Sequence, residues 1–419
     1  MTHPLDPTAL VLGGTSAHAI LIEKLRARGY RVVLADYLEN PPAAALADRH
    51  CRISTLDTAA VTDLARQEQA RLVIATSVDQ AYVVACEVSE TLGLPHPYSS
   101  RTGHLIADKA LVKARMVDLD IPTATHISLN NADALDAAMT SAGLDFPLIV
   151  KPADCNGSKG VVRCDSRADL DTALARAFAY SRSHQAIVEE FIDGVEYNIY
   201  ALIIEGQAHL VTSCRKYNHE STDGTAITSF ATWYQNRLPD WFRASATEIL
   251  QRIADGFGLR NTAMILQVLV RDEDMSVLEF APRVGGGLSY WAVLQQTGCD
   301  LVEAMLDAWL GTPPALPAAH ESDIVITTHL YAHPCTFDRI EGVEALREDG
   351  TIEAYIPNKM QGGIISAEKA SRDRVGSFVL RGSSDQDILD RVARIMSGIE
   401  AYDINGQVVT DQETCIRAV

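Results

Sequence analysis

The chain has 419 residues, 47% of them hydrophobic and 22% charged, so it is an ordinary globular composition too long for one domain, and two to four packed lobes are expected. A formal net charge of −19 argues against nonspecific nucleic-acid binding and against an anionic membrane surface, but leaves room for a small anion held by a few local cations. No run of about 18 apolar residues exists, so no transmembrane helix is expected, and the opening MTHPLDPTALVLGG lacks the basic n-region of a secretory leader.

Residues 8–36 read strand, glycine turn, amphipathic helix and strand, with Ile20, Leu21 and Leu25 on one helix face. This is a βαβ unit, and its crossover length makes the strands parallel. Its turn, GGTSAH, is not G-x-G-x-x-G, because Thr15 stands about where the second glycine belongs. A structural turn or the edge of a substrate site is the reading here. A helix at Val61–Gln69, a buried strand at Leu72–Ala75 and a helix at Ala81–Leu92 follow, and LPHPYSS then breaks regular structure. Residues 1–105 are thus expected to form a doubly wound α/β domain.

Ala107–Asp118 is expected to be a helix carrying Lys109 and Lys113, with a strand near Thr125–Ser128 and a helix over Ala132–Ser141. Next comes FPLIVKPADCNGSKGVVRC (146–164): a buried strand ending at Lys151, a loop with Ser158 and Lys159, and a returning strand. After a helix at Asp169–Ser181, HQAIVEEFIDGVEYNIYALI (184–203) gives a strand ending in Glu189 and Glu190, a turn, and a strand holding Glu196. Residues 208–232 read as strands around a polar loop, NHESTDGT, near which Lys216 and His219 fall. A helix at Pro239–Gly256 precedes a hairpin of Ala263–Val270 with Met275–Phe280, on whose facing strands Gln267 and Glu279 can lie, twelve residues apart. Helices at Ser289–Gln296 and Asp300–Leu310, a Pro/Ala connection at 312–322, and a strand-rich tail with a helix at Asp385–Glu400 complete the chain. The eight cysteines (51, 86, 155, 164, 214, 299, 335, 415) include no C-x-x-C pair and read as reduced thiols of a cytoplasmic enzyme.

The stretch VLEFAPRVGGG (277–287) concentrates chemistry: a carboxylate at a strand end, an arginine four residues on, and three glycines. A carboxylate can hold Mg²⁺, a guanidinium grips phosphate in two-pronged fashion, and bare backbone lets oxygens reach main-chain N–H groups. Taken with Lys109, Lys151, the Gly/Ser/Lys loop and the acidic strand end, this ordered set resembles the ATP-grasp superfamily along nearly the whole chain. Within it, PRVGGG and the tail GGIISAEKASRDRVGSFVLRGSSDQDILDRV resemble the carboxylate–amine ligases that join amino acids, the L-amino-acid ligases.

The resemblance implies an α/β chain in which the N-terminal doubly wound parallel-sheet domain (1–105) is followed by an ATP-grasp core (106–319). Two α+β lobes of that core would clamp ATP, the small mobile lobe spanning about 121–188, and a strand-rich C-terminal lobe (320–419) would complete the large domain. It further implies that Lys109 and Lys151 contact the α- and β-phosphates, and that Asn156, Gly157, Ser158, Lys159 and Gly160 close over the β- and γ-phosphates. The main chain of Glu189, Glu190, Phe191 and Ile192 would read adenine, and Glu196 would accept from ribose hydroxyls. Glu279 and Gln267 would hold Mg²⁺ (or Mn²⁺), Arg283 would stabilise developing negative charge, and Gly285, Gly286 and Gly287 would admit a substrate carboxylate. Lys216 and His219 would touch γ-phosphate or carboxylate; for His219 a solvated loop residue is the competing reading. Two positions depart from the family's E-x-N-x-R pattern and its first acidic ligand: Ala281 stands where Asn is usual, and Gln267 where an acid is usual.

The implied activity is ATP-dependent joining of a small carboxylic acid to an amine, with small-molecule substrates and a homodimer as the expected assembly. A biotin-carboxylase-like or purine-pathway carboxylating ligase is the competing enzyme. A noncatalytic nucleotide-binding protein with a degraded metal site is the alternative of another class.

Overall fold

The computed structural model describes residues 6–155, 160–220, 227–235, 238–318, 324–367 and 373–413. The N-terminal unit runs β1 (Thr8–Leu12), α1 (Ser16–Ala27), β2 (Arg31–Ala35), β3 (Arg49–Cys51), α2 (Thr58–Gln67), β4 (Ala70–Ala75) and α3 (Asp79–Leu92). Its four strands are parallel in the order β3-β2-β1-β4. β1, β2 and β4 are nearly continuous apolar runs because helices cover both faces. The helix ends follow local chemistry. The Asp57 side chain accepts from Ala60 N at 3.0 Å to start α2, and Gly93, left-handed at φ +66°, stops α3.

The expected break after Gly93 is only partial. Ser99 caps a further helix, α4 (Ser100–Ala107), and Asp108 then caps α5 (Lys109–Asp118). Two prolines and the serines hide α4 from a propensity reading, but those serines are its cap.

A small lobe follows: β5 (His126–Leu129), α6 (Leu135–Ala142), β6 (Leu148–Pro152), β7 (Val162–Cys164), α7 (Arg167–Tyr180) and β8 (Ala186–Glu190). Its antiparallel sheet has the order β5-β8-β6-β7, which puts β8 inside. The large lobe begins with β9 (Val195–Ile204), β10 (Gln207–Glu220), β11 (Ile227–Gln235), α8 (Asp240–Phe257), β12 (Thr262–Arg271) and β13 (Asp274–Ala281). It continues with α9 (Ser289–Thr297), α10 (Leu301–Trp309) and β14 (Ile324–Ala332). The tail comprises β15 (Cys335–Glu341), α11 (Val343–Glu348), β16 (Ala354–Pro357), β17 (Ile364–Ile365), β18 (Gly376–Gly382), α12 (Asp385–Gly398), β19 (Glu400–Asp403) and β20 (Thr410–Asp411).

Among the described residues one sheet runs β13-β12-β9-β10-β11-β14-β18-β16, with β20 paired to β14. Period-two alternation divides its faces. Ile199, Ala201, Ile203, Met264, Leu266 and Val268 pack under α8, whereas Tyr200, Leu202, Cys214, Tyr234 and Ile265 share a core with α9, α10 and the N-terminal sheet. The expected polar loop at 218–225 begins later than the sequence suggests. Asn218, His219 and Glu220 still pair with Ser229, Thr228 and Ile227, so Lys216 and His219 lie on a strand, where backbone pairing outweighs polar composition.

The N-terminal unit is fastened to α10. Lys24 Nζ meets Asp300 Oδ2 at 2.5 Å, Arg28 engages Glu303 and Asp307, and Trp309 Nε1 donates to the Tyr82 hydroxyl at 2.7 Å. Its strand ends consequently face the glycines after β13, where Ser77 Oγ donates to Gly285 O at 3.2 Å.

Candidate active site

Three groups of polar side chains lie where the two antiparallel sheets and the N-terminal unit meet. The first is built from β6, β8 and α5. Ile149 pairs with Glu189, so Lys151, two residues on, is its diagonal neighbour on one face of the small sheet. Lys151 Nζ reaches Glu189 Oε1 at 2.6 Å, and Lys113 Nζ reaches Glu189 Oε2 at 2.7 Å. Lys113 also donates to Thr123 Oγ1 at 2.8 Å, and that hydroxyl donates to Val277 O on β13. All three charged groups are buried, Glu189 at 3%, Lys113 at 1% and Lys151 at 7% exposure. Burial alone would raise the Glu189 carboxyl, but the two ammonium groups outweigh it and hold the acid at about 2. Burial, together with the like charge of Lys151, pushes the Lys113 amine below its usual value. Two cations against one anion leave a surplus positive charge, which in a dry site calls for an anionic ligand.

The second group lies on the large sheet. Register places Asn198, Gln267 and Glu279 in one row across β9, β12 and β13. Two residues from Asn198 and on the same face, Glu196 contacts Lys216 Nζ and accepts from Asn218 Nδ2 at 2.6 Å. Asn198 Oδ1 is buried with no hydrogen-bond partner among the described residues. Lys109, first residue of α5, bridges the two sheets: its Nζ donates to Cys155 O at 2.7 Å and lies 3.6 Å from Glu279 Oε2.

The third group is at the glycine run. Arg283 Nε and Nη2 grip the two oxygens of Asp79 at 2.5 and 2.7 Å, and Nη1 donates to Val284 O at 3.0 Å. Gly286 and Gly287 have open space where a Cβ would stand, and Gly287 sits at φ +63° just before α9. Leu288 gives α9 no side-chain cap, so this end of the helix keeps backbone donors for a ligand oxygen.

The structure thus gathers Lys109, Lys151, Glu189, Glu196, Lys216, Gln267, Glu279, Arg283 and the three glycines around one region. Asn156, Gly157, Ser158 and Lys159 lie outside the described residues, as does the side chain of His219; Gly160, at φ +77°, packs its Cα against Tyr180 and Pro152. Glu189 occupies an interior strand paired on both sides, so its main chain is taken up by the sheet rather than open to adenine as expected, while its side chain meets the two lysines. Glu190 N donates to Thr125 O, and Phe191 N to Pro147 O, with Arg163 over the Phe191 ring at 4.2 Å. Ile192 follows on the link to β9.

Sequence reasoning missed the pairing of Lys113 and the presence of Asn198, Asn218 and Asp79. Asn198 and Asn218 stand two residues beyond Glu196 and Lys216, a period-two signal that was available. Asp79, 204 residues from Arg283, gave none.

The donor set can be tested against a divalent ion. Glu279 offers one carboxylate, Gln267 and Asn198 offer neutral carbonyl oxygens, and no cluster of three His, Cys, Asp or Glu side chains is found among the described residues. That set fits one hard cation that draws its remaining ligands from phosphate oxygens and water. It is too poor in carboxylates for two.

A parallel-sheet unit, an antiparallel small lobe and a large antiparallel sheet that converge on lysines and a carboxylate define a nucleotide-clamping α/β protein. Residues 144–290 match the family model of the ATP-grasp domain, and the chain carries that domain. It is 26% identical over 408 residues to phosphoribosylamine–glycine ligase of Streptomyces coelicolor, covering 93% of this chain and 95% of that one. With a formate-dependent phosphoribosylglycinamide formyltransferase of a Janthinobacterium species it shares 27% identity over 331 residues, 75% of this chain and 79% of the relative. In fold it is similar to the L-amino acid ligase of Bacillus licheniformis (TM-score 0.80, 18% identity, 96% of this chain and 100% of that one).

Proposed function

We propose that the protein is an ATP-dependent ligase that activates a small carboxylic acid, amino acids included, as an acyl phosphate and joins it to an amine. The observation that carries this reading is the buried Lys113–Glu189–Lys151 cluster, with its surplus positive charge, set across from Glu279. A carboxylate oxygen of the acid attacks the γ-phosphorus, the bond to the bridging oxygen breaks, and ADP leaves. The amine nitrogen then attacks the acyl carbon, the carbon–oxygen bond to phosphate breaks, and the nitrogen gives up its proton. Such transfers depend on positioning and charge neutralisation, so no protein nucleophile is required.

In this reading Lys109 and Lys151 hold the α- and β-phosphates, and the main chain from Glu190 to Ile192 would read adenine, since that of Glu189 lies inside the sheet. Glu196 already serves Lys216 and Asn218, so it takes ribose hydroxyls on its remaining lone pairs. Lys216, paired with Glu196, would reach the γ-phosphate or the substrate carboxylate with its remaining N–H groups. Glu279 with Gln267, and with Asn198 behind them, would hold Mg²⁺ or Mn²⁺, which would neutralise phosphate charge. Arg283 and the N–H groups at Gly285–Gly287 would meet the oxygen on which negative charge develops. The substrates are small molecules, and a cytoplasmic homodimer is the proposed setting.

The test is phosphate release with ATP and Mg²⁺ across pairs of amino acids and small carboxylic acids. Release that requires both an acid and an amine supports the ligase. ADP formation driven by bicarbonate without an amine would mark a carboxylating enzyme, and ATP binding with no turnover in any pair would mark a nucleotide-binding protein.

A further inference from the structure

Arg283 is the only part of the third group with charge to offer a substrate, yet it is already gripped. Asp79 comes from the first turn of α3, in the N-terminal unit, and reaches across to it. A guanidinium carries five N–H groups. Asp79 takes one from Nε and one from Nη2, and Val284 O takes one from Nη1. What remains is one N–H on each terminal nitrogen. The pair shares its cavity wall with Tyr82, Tyr98 and Pro282, and its side chains keep only 13% (Arg283) and 22% (Asp79) exposure. Beyond it the charges alternate: Glu279 acts on Arg283 and pairs with Lys109, so Asp79, Arg283, Glu279 and Lys109 sum to zero.

We propose that Asp79 is a positioning residue: it clamps Arg283 from one side, so that the two remaining N–H groups meet a substrate oxyanion in a single orientation. By cancelling the guanidinium charge it also makes the site recognise that oxyanion through hydrogen-bond geometry rather than through net charge. A free arginine would bind any anion, product phosphate included, and release it slowly. A clamped one favours the oxygen that arrives at the right place, which is the preference catalysis needs. The inference rests on the reading of Arg283 as the group that meets the oxyanion. It differs from a mere brace between domains, because a brace has no effect on which anions bind.

Asp79→Asn is the first variant: it keeps the shape, removes the charge, and turns an N–H toward a guanidinium N–H. Inorganic phosphate is the binding probe, followed by calorimetry on the whole chain. Turnover is measured with MgATP and the acid–amine pair of highest rate in the phosphate-release screen. Loss of one adjacent compensating charge should tighten phosphate binding by about fivefold. Misaligned donors should lower kcat by roughly 100-fold, with the KM for the acid unchanged or lower. Asp79→Glu keeps the charge but displaces the carboxylate, so it should bind phosphate like the wild type and lose about tenfold in kcat. This second variant also serves if Asp79→Asn fails to fold.

Phosphate affinity and kcat both within about twofold of wild type in Asp79→Asn, or a kcat loss matched by the unfolded fraction alone, would overturn the clamp. Arg283→Met binding phosphate as well as wild type would show that the arginine meets no oxyanion. Tighter phosphate binding by Asp79→Asn in a protein that turns over no acid–amine pair would sink the ligase reading and leave the clamp standing.

Discussion

Replacing Glu189 by Gln tests whether the buried lysine pair exists to hold an anion. The substitution removes the only carboxylate among the described residues in contact with both Lys113 Nζ (2.7 Å) and Lys151 Nζ (2.6 Å) and leaves two ammonium groups side by side in a nearly dry site. Removing one partner of a buried pair ordinarily costs about 3–5 kcal/mol. Here two lysines lose it, so the upper part of that range is expected in urea unfolding at neutral pH. A nucleotide whose phosphates take the place of the carboxylate should return much of the loss. At a hundredfold excess over Kd, ATP stabilises any protein by about 2.7 kcal/mol, so at one fixed ATP concentration the gain in Glu189→Gln should exceed the wild-type gain, because the variant's unpaired lysines lower its Kd. pH provides an independent arm. In the wild type the Glu189 carboxyl sits at about 2, below its unfolded value, so its contribution is complete above the ordinary carboxylate range. That contribution fades as pH falls through that range toward 2. In the variant the Lys113 amine, lowered by burial, sheds its proton before an unfolded lysine does, so the deficit should shrink as pH rises through the alkaline range. A variant within about 1 kcal/mol of wild type, or one that ATP stabilises no better, would refute the reasoning.

Glu279→Gln removes the sole carboxylate of the Asn198–Gln267–Glu279 row, and should abolish turnover while leaving the fold intact by circular dichroism. Retained turnover would show that the ion is held elsewhere. Gln267→Glu supplies a second carboxylate opposite the first, and should tighten Mn²⁺ binding, read by electron paramagnetic resonance, by about tenfold or more. An unchanged Mn²⁺ affinity would place the ion off this row. Gly14→Ala would put a Cβ 2.4 Å from Pro41 Cβ, and should destabilise the N-terminal unit by roughly 1–3 kcal/mol in thermal unfolding.

Most elements of this fold were legible because the chain states them twice, once in periodicity and once in its stop signals. The apolar runs of β1, β2 and β4 and the glycines closing α3 and α8 are examples. The hairpin that puts Gln267 and Glu279 on facing strands could be read from spacing, but their direct pairing depends on a register shift at Gln267/Val268 that no local signal announces. Polar strands were harder. Asn218 to Glu220 look like loop residues, and only pairing with β11 makes them strand. At the site, Lys151 was visible because an apolar run ends on it. The burial of Lys113 was not, because it depends on how α5 lies against the small sheet. The Asp79 contact could not be read at all, since it arises only when α1 and α3 dock against the large lobe and nothing local to Asp79 announces it.

The large sheet is assembled from two separated parts of the chain, and this sets the order of events during synthesis. β11 is complete at Gln235, but its outer neighbour β14 spans Ile324–Ala332. At about 5–20 residues per second, the ribosome needs roughly 5–20 s to supply β14 after β11 has emerged. Throughout that interval β11 presents an open edge bearing Phe230, Trp233 and Tyr234, the kind of strand that pairs with neighbouring chains. The growing chain therefore carries an unpaired strand edge until β14 emerges, and a holdase that covers β11 in that window should raise its soluble yield.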